Sequence, residues 1–146
     1  MKNILIGIDF HEDTDNLIDK TYQLIKPHGA KIWLLHVISI SAEMVNFEMG
    51  YGFIRDYRAD ELNLENEILN DYVDKLKKRG INAEGLLVQG PTIDTILDES
   101  QKLSIDMIVF GHHTHSFMYN LFFGSTSTDI IKKSDIPVLV IPLKGK

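Results

Sequence analysis

Short apolar runs alternate with amphipathic stretches along this chain. Ile4-Leu5-Ile6-Gly7-Ile8 stops at Asp9 and predicts a buried strand. Residues 14–26 place Leu17, Ile18, Tyr22, Leu24 and Ile25 on roughly one helical face, and Pro27, His28 and Gly29 end that helix. Ile32 to Ile38 reads as a second strand, with Trp33 and His36 expected as core or sheet-face residues. A polar and aromatic stretch follows to about Arg58. A second helix then runs to Arg79 with Leu62, Ile68, Leu69, Tyr72, Val73 and Leu76 inward, and Gly80 closes it. Leu86-Leu87-Val88 centres a third strand, ended by Gly90-Pro91. Pro91 suits the first turn of the next helix, whose face is Ile93, Ile96, Leu97 and Leu103. Met107 to Phe110 is the fourth strand, Asp129 to Lys133 opens a further helix, and Val138 to Ile141 is the fifth strand, bracketed by Pro137 and Pro142.

Nearly continuous apolar strands alternating with helices predict an α/β fold with a parallel sheet covered on both faces. A single domain over 1–146, built as an open doubly wound five-stranded parallel sheet of Rossmann-like type, fits this pattern. A closed eight-stranded barrel needs a longer chain.

Composition narrows the function classes. A net charge of −6 argues against nucleic acid or an anionic membrane as partner. The absence of cysteine excludes disulfides, thiolate metal sites and Cys nucleophiles. No stretch reaches transmembrane length, and Met1 leads directly into the first strand, so a cytoplasmic location is expected.

The segment from Gly111 to Ser127 carries the most chemical information. A glycine after a strand and a Gly124-Ser125-Thr126-Ser127 turn before a helix together predict an anion site. Backbone N–H groups and the helix dipole supply the attraction. The Ser and Thr residues equally suit plain helix capping, and the two roles are compatible. His112, His113 and His115 admit three readings: a solvated loop, a weak pH-dependent phosphate contact, or a metal site. The last is disfavoured because adjacent residues in an extended chain point to opposite sides. Asp9, at the same edge, reads either as a contact to ribose hydroxyls or Mg²⁺, or as a cap or loop hydrogen bond.

The segments Ile6-Gly7-Ile8-Asp9, Leu34-Leu35-His36-Val37, Ser104 to Gly111, Phe122 to Ser127 and Asp135 to Val140, in that order, resemble the universal stress protein family over essentially the whole chain. The resemblance implies the strand order 3-2-1-4-5 and binding of ATP or another adenine nucleotide, with Mg²⁺ as an optional companion. The implied contacts are Gly7, Asp9, Val37, Phe110, Gly111, Thr114, Gly124, Ser125 and Thr126. The base is expected near Val37, the phosphates at Gly124-Ser125-Thr126, and Asp9 by the ribose or the metal. ATP-binding members carry Gly, two residues, Gly, nine residues, then Gly-Ser or Gly-Thr. Here Gly111 fits, Thr114 replaces the second glycine, His115 to Phe123 fit in length, and Gly124-Ser125 fit the end. A β-branched Thr tolerates neither close phosphate approach nor positive φ easily. No Lys or Arg lies between Lys102 and Lys132, which weakens the expected hold on a triphosphate.

The first reading is therefore a cytoplasmic stress-response protein that binds an adenine nucleotide weakly or as a regulatory ligand. The alternative is a dimeric interaction protein of the same fold with an empty site. An adenylate-transferring enzyme would want a substrate domain or extra motifs. The chain has no Gly-x-Ser-x-Gly elbow, P-loop or His-Glu-x-x-His motif, so any ATP hydrolysis is expected to be slow and incidental. The resemblance and the apolar last strand both point to a homodimer through residues 137–142. Met44, Phe47, Met49, Tyr51, Phe53 and Tyr57 read as a packing segment or as a lid over a base.

Overall fold

The computed structural model describes residues 1–10, 13–26, 29–38, 51–112 and 131–143, with the side chains of 51–62 and 112 outside that description. Among these residues there are five strands: β1 (Asn3–Gly7), β2 (Lys31–Ile38), β3 (Ala83–Gln89), β4 (Met107–His112) and β5 (Val138–Pro142). They form one sheet in the order β3-β2-β1-β4-β5, with every neighbouring pair parallel. The described connections from β1 to β4 carry α1 (Thr14–Ile25), α2 (Tyr51–Lys78) and α3 (Thr92–Lys102). Residues 131–133 are also helical and lead into β5.

The apolar runs become strands because both of their faces are covered. Ile4, Ile6 and Ile8 pack with Leu17, Ile18 and Ile25 of α1 and Leu69, Val73 and Leu76 of α2. Leu5, Leu35 and Val37 pack on the opposite face with Ile96 of α3, Ile108 and Phe110. The chain thus winds outward from β1 through α1 and α2. It then crosses the sheet through α3 to start again at β4, beside β1. Ligands of open α/β sheets bind at such a reversal, beyond the carboxyl ends of the strands.

Two boundaries differ from the sequence reading by more than one residue. The second helix begins at Tyr51 rather than near Arg58 and runs for 28 residues. Gly52 is its weak point, but it lies in the first turn, and no proline or second glycine interrupts the good helix formers that follow. Tyr51, Phe53 and Tyr57 therefore belong to a helical backbone, whereas Met44, Phe47 and Met49 lie outside the described residues. The fourth strand extends past Phe110 to His112, so Gly111 is a strand residue opposite Ile141. Its lack of a side chain is a packing requirement. A Cβ there would stand 2.5 Å from Cδ1 of Leu143 and 3.4 Å from Cδ2 of Leu17.

Candidate functional site

The register of the sheet assembles the site. Gly7 lies opposite Leu35 on one side and Phe110 on the other. Extended by two residues, that register sets Asp9 level with Val37 of β2 and His112 of β4. Residues 9, 37, 111 and 112, far apart in sequence, thus lie at the carboxyl ends of the adjacent strands β1, β2 and β4.

Their environments differ. Gly7 is buried and flanked by β2 and β4. Val37 is 7% exposed and packs on the α3 face with Phe110, which is fully buried. The Phe110 ring is thus a core element. Asp9 is half-buried just past the end of β1. Thr114, Gly124, Ser125 and Thr126 lie outside the described residues, as do His113 and His115.

Several contacts at this edge were not legible in the sequence. Ile8 is no longer a strand residue, yet its N–H donates to the Leu35 carbonyl at 2.9 Å. Phe10 takes a positive φ of 59° and stacks on His36. On the far side of the turn, Thr14 is buried and shares a hydrogen bond with the hydroxyl of Tyr72 from α2. Burial, helped by the Asp15 carboxylate, pushes the Tyr72 phenol above its ordinary value; Lys75 and the Thr14 bond pull the other way, and Asp9 adds to the rise. Lys75 pairs with Asp15 at 3.1 Å, and Arg79 pairs with Asp19, so the carboxyl end of α2 is tied to α1.

Chemically, this edge offers a carboxylate beside backbone groups at strand ends. Asp9 is a hard oxygen acceptor suited to a hydroxyl or to Mg²⁺ held jointly with phosphate oxygens. Among the described residues, no group of three or more His, Asp or Glu side chains is placed to hold a metal ion by itself. Also among them, no helix is long and apolar enough to cross a membrane. A separate cleft of about 210 Å³ lies at the opposite end of the sheet, lined by Tyr22, Lys26, Arg79 and Asn82. Lys26 and Arg79 there stand 5.6 and 5.9 Å from the Tyr22 ring, near the carbonyl ends of α1 and α2, where positive charge complements the helix dipoles.

The fold has relatives. The chain is 24% identical over 143 residues to universal stress protein YxiE of Bacillus subtilis, covering 94% of this chain and 97% of the relative. The universal stress protein from Archaeoglobus fulgidus in complex with dAMP superposes with a TM-score of 0.66 at 18% identity, over 97% of this chain and 98% of the other. A universal stress protein in complex with cAMP superposes with a TM-score of 0.64 at 17% identity, over 97% and 96%. The model of the Universal stress protein family matches residues 1–142. The chain belongs to the universal stress protein family.

Proposed function

We propose that this protein binds an adenine nucleotide at the carboxyl edge between β1 and β4, as a regulatory ligand. The observation that carries the reading is that Asp9, Val37, Gly111 and His112 all lie at the carboxyl ends of the adjacent strands β1, β2 and β4. A carboxylate for a ribose and an apolar strand end for a base then stand at the fold's reversal point. The two structural relatives whose ligands are dAMP and cAMP support the same ligand class. Val37 is the expected neighbour of the base, Asp9 of the ribose, and Gly124, Ser125 and Thr126 of the phosphate. Gly7, Phe110 and Gly111 would contribute backbone, and Thr114 would line the loop between them. Should Mg²⁺ accompany the ligand, Asp9 with phosphate oxygens would hold it. A cytoplasmic setting, and a homodimer through β5, go with this reading.

The charge pattern sharpens it. With no Lys or Arg between 102 and 132, phosphate contact falls to N–H groups and hydroxyls, which suit one phosphate better than three. AMP should therefore bind at least as tightly as ATP, with a dissociation constant in the micromolar range or weaker. Calorimetry with both nucleotides tests this, with Ser125→Asp as the control whose carboxylate repels phosphate. Binding by the wild type and loss in the variant support the reading. No heat and no protection from melting at millimolar AMP or ATP would favour the interaction protein with an empty site.

A further inference from the structure

The turn that carries Asp9 is gripped from outside itself. Phe10 sits at φ 59°, in the left-handed region that a bulky L-residue rarely enters. Such a conformation persists where surrounding contacts over-determine it. Here the Phe10 ring lies against the imidazole of His36, with centroids 4.2 Å apart and planes tilted by 33°. The same imidazole meets the carbonyl oxygen of Ile8 through Nδ1 at 2.8 Å. A carbonyl oxygen only accepts, so Nδ1 carries the hydrogen and donates. Nε2 then faces Oε1 of Glu65 from α2 at 3.9 Å. One side chain from β2 thus holds the residue before Asp9 by its carbonyl and the residue after it by its ring.

Position 36 does not need a histidine for the core. The neighbouring positions on this face of β2, Ile32 and Leu34, are fully buried aliphatics, and His36 continues their alternation with its side chain 15% exposed. What the imidazole adds over an aliphatic side chain is a directed donor and a flat partner for an aromatic ring. Both are spent on the two residues that flank Asp9.

We propose that His36 is a positioning residue for the ligand edge: it clamps Ile8 and Phe10 and thereby fixes the backbone at Asp9. The consequence for affinity rests on the nucleotide reading above; the clamp itself does not. A ligand that needs Asp9 in one place binds more tightly when that place is set beforehand.

Three variants separate this role from simple core filling. His36→Leu keeps apolar bulk and loses the donor. His36→Asn keeps a short amide donor near the Nδ1 position and loses the ring. Phe10→Gly removes the ring and relieves the backbone. Amide hydrogen exchange is read in the nucleotide-free protein, and AMP affinity by calorimetry. In His36→Leu and in Phe10→Gly, exchange at Asp9 and Phe10 should rise about tenfold while Ile4 to Ile6 stay protected. AMP binding should weaken by about tenfold in each. The double variant should be no weaker than the weaker single one, since both act through one clamp. His36→Asn should recover part of the loss. If His36→Leu lowers only the melting temperature, and leaves both Asp9 exchange and AMP affinity at wild-type values, the proposal is overturned. Should His36→Leu fail to fold, Phe10→Gly and His36→Asn carry the same comparison. If the wild type binds no AMP, the nucleotide reading fails, and the exchange data alone decide the clamp.

Discussion

The carboxylate of Asp106 accepts the backbone N–H of Asn3 at 2.9 Å, tying the start of β1 to the start of β4. It also accepts the N–H of Lys2 at 2.6 Å. These two bonds, with help from the N-terminal ammonium and the Lys2 charge, hold the Asp106 carboxyl below the ordinary carboxylate range despite some desolvation. A carboxyl lowered in the folded state stabilises fully above its unfolded value, and loses that contribution as pH falls through the lowered one. Asp106→Ala should thus melt earlier than wild type at pH 7, and the gap should close on acidification below the carboxylate range. Melting curves across that range check this; a gap that does not change with pH would contradict it.

Gly90 ends β3 at a φ of +155°, and a Cβ there would stand 2.6 Å from Oγ1 of Thr95. Gly90→Ala should cost about 1–3 kcal/mol of stability through backbone strain and this clash. Adding Thr95→Ala should return the part due to the clash and leave the part due to φ. Denaturant unfolding of both variants measures the split. An undiminished loss in the double variant would show that Thr95 is not the obstacle.

Leu69 packs so closely over β3 that a Cβ on Gly85 would lie 2.9 Å from its Cγ. Leu69 is 1% exposed. Leu69→Ala should cost about 2–5 kcal/mol, the range for truncating a buried leucine. Chemical denaturation should show a lower midpoint with an unchanged slope; a cost under about 1 kcal/mol would mean that α2 settles onto β3 and fills the space.

The sheet was legible because its inner strands are buried on both faces, which writes continuous apolar runs into β1, β2 and β4. The start of α2 was harder to read: Tyr51, Phe53 and Tyr57 have the look of a loop or lid, and only their place in a long uninterrupted helix shows otherwise. Gly111 looked like a loop glycine because polar residues follow it, whereas pairing with Ile141 keeps it in β4. Asp9 and Val37 could be named from strand ends, but their common level depends on register. The grip of His36 on Ile8 and Phe10 depends on contacts 26 to 28 positions apart, which no local pattern records. Thr114 and the turn at Gly124 to Thr126, named from the sequence, lie outside the described residues.

β5 is an outer strand of the sheet, and Val138, Leu139 and Val140 remain partly exposed along it. Pairing with a symmetry mate would protect such an apolar edge, and Pro137 and Pro142 would limit the ladder. The wild type should scatter light as a dimer at high micromolar concentration, and Val140→Lys should shift it toward monomer. A monomeric wild type, or a dimer indifferent to Val140→Lys, would speak against this interface.

The most direct test of the account is a heteronuclear NMR titration of the uniformly labelled protein with AMP. The amides of Asp9, Val37, Gly111, Ser125 and Thr126 should shift together and saturate with one dissociation constant. Those of Lys2, Asn82 and Ser104, at the opposite end of the sheet, should stay in place. Shifts confined to that opposite end, or none at millimolar AMP, would contradict a nucleotide site between β1 and β4.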